Sequence, residues 1–315
     1  MEDCEEMGQK KINVMWLRPI GVKGAIRNVH LNTLNAIDRN TICPYTFKRR
    51  INSFLVPMLF GWKMDVMVGV GNLKEIPIVL WNKLLGVKYV CEIHTCHNRV
   101  KRNKGFLKVQ WWGMRLLMEM ADKTVFVSEF SRKSFKWPKS RSRVIHNSVD
   151  TDFFHPSRRK RIGKPLVLWV GKLTPTKRPE VFRKVAEMLP EYEFVMIDKG
   201  KSRNEIAQLM ADADIFLFPS REEPFGLVVI EAMASGCPVV LSKAGAFPEI
   251  TCRELIKVNR DEARNMAKRI KLLVENLSLW KGVSEYCRKR AMEFSPGKIA
   301  LKHQNLYKSL LYDSK

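Results

Sequence analysis

Nowhere in the 315 residues is there an apolar run close to the roughly 20 residues that a bilayer-spanning helix requires. The opening Met1-Glu-Asp-Cys-Glu-Glu is acidic and no apolar stretch follows it, so no secretory leader is expected. The seven cysteines are scattered, and none stands in a Cys-x-x-Cys pair. That argues against a zinc site or a disulfide framework and suits a reducing, cytoplasmic setting. Low-complexity tracts and short-period repeats are missing as well. Acidic side chains are scarce: 32 Asp and Glu against 56 Lys and Arg leave a formal net charge of +24. The imbalance is local, because residues 99–164 hold 18 basic and 5 acidic side chains, more than half of the whole excess. Such a field attracts polyanions: nucleic acid, anionic lipid headgroups or phosphorylated substrates. A solvated basic face that only aids solubility is the plainer alternative.

What the chain does have is a globular balance, 45% apolar and 28% charged, and enough length for two domains. Nearly all-apolar runs, the pattern of strands buried on both faces, fall at Ile12–Trp16, Asp65–Val70, Lys88–Ile93 and Lys123–Val127. They recur at Leu166–Val170, Glu193–Ile197, Asp214–Phe218 and Pro238–Leu241. Helical segments are expected between them, at Ile51–Phe60, Glu75–Leu85, Phe106–Met120, Arg178–Leu189, Asn204–Ala211, Leu227–Ser235 and Glu262–Leu277. This alternation predicts an α/β protein with parallel, doubly wound sheets. Residues 150–164 are turn-like and then basic, and a fresh strand follows, so two Rossmann-like domains facing a cleft are expected. Ligands of such sheets bind beyond the carboxyl ends of strands.

Four stretches sit at such ends. Leu217-Phe-Pro-Ser-Arg-Glu-Glu-Pro-Phe-Gly-Leu-Val-Val-Ile-Glu231 is a buried strand, a loop carrying Glu222 and Glu223, and a helix starting near Leu227. The helix-start amides around Gly226–Val228 form an anion site suited to a phosphate. Glu223 falls at the strand end and Glu231 about one turn into the helix, where carboxylates accept hydrogen bonds from sugar hydroxyls. Val170-Gly-Lys-Leu-Thr-Pro-Thr-Lys places Lys172 and Lys177 after another strand. His94 follows the run Lys88–Ile93, with Cys96 and His97 close by in a spacing that matches no familiar zinc pattern. Pro19-Ile-Gly-Val-Lys-Gly24 follows the first strand, and glycine there lets backbone approach a phosphate.

The stretch Glu223-x7-Glu231, with Val144-Ile-His-Asn-Ser-Val-Asp-Thr-Asp-Phe-Phe-His-Pro and the Lys172/Lys177 loop, resembles the retaining GT-B glycosyltransferases of the family 4 (group 1) type. The resemblance is dense from about Val144 to Val240. It implies a metal-independent enzyme without a cofactor, which moves a hexose from a nucleotide-diphosphate sugar, such as a UDP- or GDP-hexose, to a lipid-linked, polysaccharide or other glycan acceptor. It assigns residues 1–155 to an acceptor domain and 156–296 to a donor domain, with the helix 297–315 packing back on the first. By that resemblance Glu231 holds the ribose and Glu223 contacts the transferred sugar. Lys172 and Lys177 reach the diphosphate, and Phe225, Gly226, Leu227, Val228 and Gly24 line the donor site. His94 lies near sugar and acceptor. Departure of the leaving group and attack by the acceptor share one face, and the phosphate takes the acceptor proton.

The chain also departs from the family. Lysine stands at 172 where an arginine is usual, Lys23 replaces a glycine, and residues 198–204 are too short for a strand–helix unit, which predicts a shortened second domain. Asp212-Ala-Asp214 has the form of a metal-binding Asp-x-Asp but belongs to a block that matches the GT-B pattern, so these are expected to be helix-end and strand-start residues. The basic window and the helix from Phe106 also allow a peripheral place on an anionic membrane. A nucleic-acid-directed protein and a catalytically inactive GT-B scaffold are the alternative readings.

Overall fold

The computed structural model describes residues 11–17, 25–39, 41–46, 61–97, 107–157, 163–251, 257–258 and 262–312. The expected helix at 51–60, the turn around Gly24 and two of the basic clusters, 98–106 and 158–162, lie outside them. The chain divides into two compact units, Met1–His146 with Gly297–Lys315, and Asn147–Pro296.

The first unit runs β1 (Ile12–Trp16), α1 (Ala25–Asn35), β2 (Ile42–Thr46), β3 (Val66–Gly69), α2 (Ile76–Leu84), β4 (Lys88–Ile93), α3 (Leu107–Met120), β5 (Lys123–Phe126), α4 (Glu129–Ser134) and β6 (Ser142–Val144). The second runs β7 (Leu166–Val170), α5 (Pro179–Met188), β8 (Glu193–Ile197), α6 (Arg203–Asp212), β9 (Ile215–Phe218), α7 (Leu227–Ala234), β10 (Val239–Ser242), α8 (Phe247–Thr251), β11 (Lys257–Val258), α9 (Glu262–Glu275) and α10 (Leu277–Ala291). The last helix, α11 (Pro296–Tyr312), returns to the first unit.

Both sheets are parallel, ordered β2-β1-β3-β4-β5-β6 and β11-β10-β9-β7-β8. In each, the first strand of the unit lies between the second and the third. The strand order therefore reverses at one point, between β1 and β3 in one sheet and between β7 and β9 in the other, and such a switch point is where a doubly wound sheet opens to a ligand.

The two-residue period of the strands sorts the first unit's core into two layers. Ile12, Val14 and Trp16 of β1 join Leu34, Ile37 and the α11 side chains Ile299, Leu306, Tyr307 and Leu310 on one face. Met15, Met67, Tyr89, Cys91 and Phe126 meet α2 and α3 on the other, through Ile78, Val79, Met114, Leu117 and Met118. In the second unit β9 and the first three residues of β10 are wholly buried, Ile215 to Phe218 and Val239 to Leu241.

The passage between units comes after His146, ahead of the expected 155/156 boundary. Arg288 of α10 explains it: its guanidinium donates to the carbonyls of Thr151 (3.1 Å), Phe154 (2.9 Å) and Ala234 (2.6 Å). The Val149 amide donates to Phe294 O at 2.9 Å. Residues 147–155 are thus fastened to the second unit despite their turn-like composition. As the short 198–204 stretch predicts, β8 passes to α6 without an intervening element, through a capping box of Ser202 and Glu205.

Candidate functional site

The switch point of the second unit is formed by two loops. The β7–α5 loop carries Lys172 to Arg178, and the β9–α7 loop carries Pro219 to Gly226. They are tied to each other by backbone and hydroxyl bonds. The Arg221 amide donates to Thr176 O at 2.9 Å and Ser220 Oγ to the same carbonyl at 3.1 Å. A third segment supports them from below: Ala246 N–H donates to Glu223 O at 2.9 Å, and Gly245, at φ +58°, passes so close that a Cβ would stand 2.5 Å from Glu223 N and O.

Within that frame the ammonium of Lys177 is bonded to Glu223 Oε2, and both side chains are largely buried, 16% and 10% exposed. The ammonium also lies 4.9 Å from the centroid of Phe218, whose ring face is electron-rich. Ser220 Oγ, 3.5 Å from the same carboxylate oxygen, is a weaker neighbour. An ion pair sealed at a strand end presents one cation and one anion at a single point. The cation suits a diphosphate and the anion suits sugar hydroxyls.

Helix α7 begins beside this pair. Gly226 caps it at φ +99°, and any Cβ there would meet the Phe247 ring at 2.9 Å. The first-turn amides of Leu227 and Val228 have no intrahelical acceptor by geometry, and both residues are half-buried. Phe225 is turned inward against Phe294 (centroids 5.7 Å apart), so its ring belongs to the core and its backbone to the loop. Glu231 lies one turn deeper in α7. Burial raises its carboxyl to about 7, while the charge of Arg203 acts in the opposite direction. Lys172 is exposed at the head of the first loop.

The structure thus brings Lys177, Glu223, Gly226, Leu227 and Val228 together. It places Lys172 and Glu231 in the same unit on the flanks and leaves Gly24 outside the described residues. Three neighbours went unnoticed in the sequence. Ser220 touches the pair. Arg178 has its guanidinium pushed down by burial and then by the charge of Arg221, so positive charge is crowded at the loop. An arginine next to Lys177 was the available signal, hidden because Arg178 reads as an ordinary helix-start residue; it caps α5 in the left-handed conformation, φ 54°.

His94 belongs to the first unit, immediately after β4. Its Nε2 stands 3.6 Å from Glu92 Oε2, and the other carboxylate oxygen faces His303 Nδ1 of α11 at 3.4 Å. Tyr307 OH is 3.2 Å from that same nitrogen. Burial lowers the His303 imidazole and Glu92 opposes it, while burial raises the Tyr307 hydroxyl well above its usual range. His97 is packed instead: its Nδ1 accepts from Trp111 Nε1 at 3.3 Å, and its ring meets Trp111 and Phe135 edge-on. Asp214 Oδ2 accepts from the Leu166 amide at 2.8 Å and Asp212 Oδ2 from Gln208 at 2.9 Å, a strand-start and a helix-end role. Among the described residues no three His, Cys, Asp or Glu side chains gather as metal ligands, and no helix is long and apolar enough to cross a membrane.

Known proteins are similar to this chain in sequence and in fold. The family profile described as glycosyl transferases group 1 matches residues 195–290, and that of glycosyltransferase family 4 matches residues 47–153. Sulfoquinovosyl transferase of Arabidopsis thaliana is 29% identical over 258 residues, which cover 67% of this chain and 50% of that protein. D-inositol 3-phosphate glycosyltransferase of Mycobacteroides abscessus is 30% identical over 142 residues, 33% of this chain and 32% of that one. The chain therefore spans half or less of the length of these curated relatives. In fold it is similar to Anabaena HepE, solved in complex with UDP and glucose, with a TM-score of 0.72 at 16% identity over 95% of this chain and all of that one. Sucrose-phosphate synthase from Thermosynechococcus elongatus gives 0.68 at 16% identity over 97% of this chain and 100% of that chain.

Proposed function

The chain belongs to the GT-B glycosyltransferases of the group 1/family 4 type, and from that premise we propose that it moves a hexose from a nucleotide-diphosphate sugar to a hydroxyl of a glycan or lipid-linked glycan. The observation that carries the proposal is the buried Lys177–Glu223 pair beside the first turn of α7. In this reading the donor diphosphate lies against Lys177 and the amides of Leu227 and Val228, with Arg178 and Lys172 adding positive charge. Fixed charges and dipoles of this kind stabilise a departing diphosphate without a metal. Glu223 is released from the lysine to accept from the transferred hexose, and Glu231 accepts from the ribose. His94 is assigned to the acceptor side, as the family resemblance implies.

The transfer retains the configuration at the anomeric carbon. The acceptor oxygen bonds to that carbon as the bond to the β-phosphate oxygen breaks on the same face, and the acceptor proton passes to the departing phosphate. The structural neighbour with UDP and glucose favours a uridine donor. A thermal-shift panel of nucleotide sugars, followed by transfer assays with and without chelator, tests the reading. A uridine diphosphate sugar should raise the melting temperature, and chelator should leave the rate unchanged. Stabilisation by no nucleotide sugar would remove the donor site; activity lost in chelator and restored by manganese would remove the metal-independent step.

A further inference from the structure

We propose that the outer face of α2 and α3, with Trp62 beside it, docks on an anionic bilayer surface. Helices on a sheet normally keep polar side chains outward. These two do not. On α3, Val109, Trp112 and Leu116 recur at i, i+3 and i+7 and are 56%, 66% and 47% exposed, while Met114, Leu117 and Met118 fill the core behind them. On α2, Leu80, Trp81 and Leu84 are exposed, Leu84 at 82%, and Leu85 follows in the same manner. Both helices cover one face of the first sheet through a single shared core layer, so their outward stripes share a surface. Trp62, 67% exposed, stands in the turn Gly61–Lys63, which is packed so tightly on α2 that a Cβ on Gly61 would meet Asn82 and Leu85. Apolar surface gathered in this way marks a docking site.

Charge identifies the occupant. The Lys63 ammonium sits 5.0 Å over the Trp62 ring, Lys83 and Arg115 belong to α2 and α3, and Lys74 lies in the turn Leu73–Glu75 that leads into α2. Between Gly61 and Lys123 the acidic residues are Asp65, Glu75, Glu92, Glu119 and Asp122. Glu75 and Glu92 are buried, and Asp65 holds the Asn13 amide at 2.7 Å. Glu119 is bridged by Arg115 at 3.2 Å and by Arg141 at 2.6 Å, and Asp122 by Lys83 at 3.0 Å and by Lys88 at 3.6 Å, so two cations stand against each of these acids. A second copy of the chain would bring these cations face to face with themselves. Nucleic acid has no use for Leu80, Leu84, Leu85, Val109 and Leu116. Tryptophan and leucine ringed by lysine and arginine is the composition that partitions into the headgroup boundary of a bilayer, with the apolar chains dipping in and the cations staying at phosphate level.

The face belongs to the first unit and the donor site to the second, so the proposal does not rest on the transfer reading. Flotation with phosphatidylcholine vesicles, pure or with about one part in four phosphatidylglycerol, tests it. The chain should float with the mixed vesicles and not with the pure ones, and Lys177→Ala should behave identically. Leu84→Glu with Trp112→Glu should bind at least about tenfold more weakly at an unchanged melting temperature. If that pair unfolds the chain, Leu84→Ser with Trp112→Ser gives the same readout. Equal flotation of the variants would overturn the proposal, as would no flotation of the unchanged chain at low ionic strength. So would a dimer in light scattering that the variants convert to monomer, which would assign the face to a second copy.

Discussion

Replacing Lys177 by methionine keeps an unbranched apolar stem and removes the ammonium, which isolates the pair at the heart of the site. Glu223 is 10% exposed as a side chain, so its carboxylate loses its partner where water reaches it poorly. Breaking a buried pair from one side costs about 3–5 kcal/mol. The Ser220 hydroxyl at 3.5 Å stays, so the lower end, about 3 kcal/mol, is expected. Glu223→Gln should cost less, about 2 kcal/mol, because the ammonium keeps the Phe218 ring at 4.9 Å. The double variant buries no charge and should return to within about 1 kcal/mol of the unchanged chain. Amide hydrogen exchange of β7 and β9 under low urea reads these differences locally, without assuming that both units unfold together. The two single variants should differ in the opposite sense for UDP. Lys177→Met should bind it at least about tenfold more weakly, whereas Glu223→Gln should bind it more tightly, because the lysine no longer has to be drawn from its carboxylate. Single losses below about 0.5 kcal/mol that simply add in the double variant would refute a buried, coupled pair.

Three further outcomes follow from other groups. Glu75 is 5% exposed, and burial raises its carboxyl to about 7 against the bonds from the Val70 and Gly71 amides. In the folded chain it keeps its proton up to about pH 7, in the unfolded chain only to 4.5, so stability is lost as pH rises between them, by about 3 kcal/mol. Glu75→Gln should flatten that part of the stability–pH curve, as urea titrations at a series of pH values would record, and an unaltered slope would refute the assignment. Gly245→Ala should destabilise the second unit by about 1–3 kcal/mol and lower transfer, since its Cβ collides with the Glu223 backbone at φ +58°; thermal melts with and without UDP check it. Affinity for a uridine diphosphate sugar, whose esterified phosphates do not titrate in this range, should strengthen from about pH 6 to about pH 8 as Glu231, at about 7, ionises to accept from the ribose, and calorimetry on Glu231→Gln should find that dependence gone.

The strands that stand out in the sequence are the apolar runs: Ile12–Trp16, Lys88–Ile93, Leu166–Val170 and Glu193–Ile197 occur where those runs place them, and the others within a residue or so. Burial on both faces, expected of them all, fails for Glu193–Ile197, which ends its sheet and is half-buried or exposed along its length. β2 escaped notice because Pro44 speaks against a strand, yet among the described residues β2 is an edge strand that pairs only with β1, so one missing donor is tolerated. β6 and β11 are too short to show a period, and α10 hides behind the basic run Arg288–Arg290 at its end. In the site, Lys177 and Glu223 were each legible from their places after strands. Their bond was not, since 46 residues separate them. The same holds for Glu92, whose partner His303 comes more than two hundred residues later, and for Glu75, which reads as a solvated acid at a helix start but points into the core.

The return of α11 to the first unit has a consequence for how the chain is made. Ile299, Ala300, Leu306, Tyr307 and Leu310 complete one face of a sheet whose strands β1 to β6 are synthesised first. That face cannot close until these side chains have left the ribosome, whereas the second unit is one continuous stretch, Asn147–Pro296. The order of folding therefore inverts the order of translation: the second unit can be finished while the first still waits with an open core.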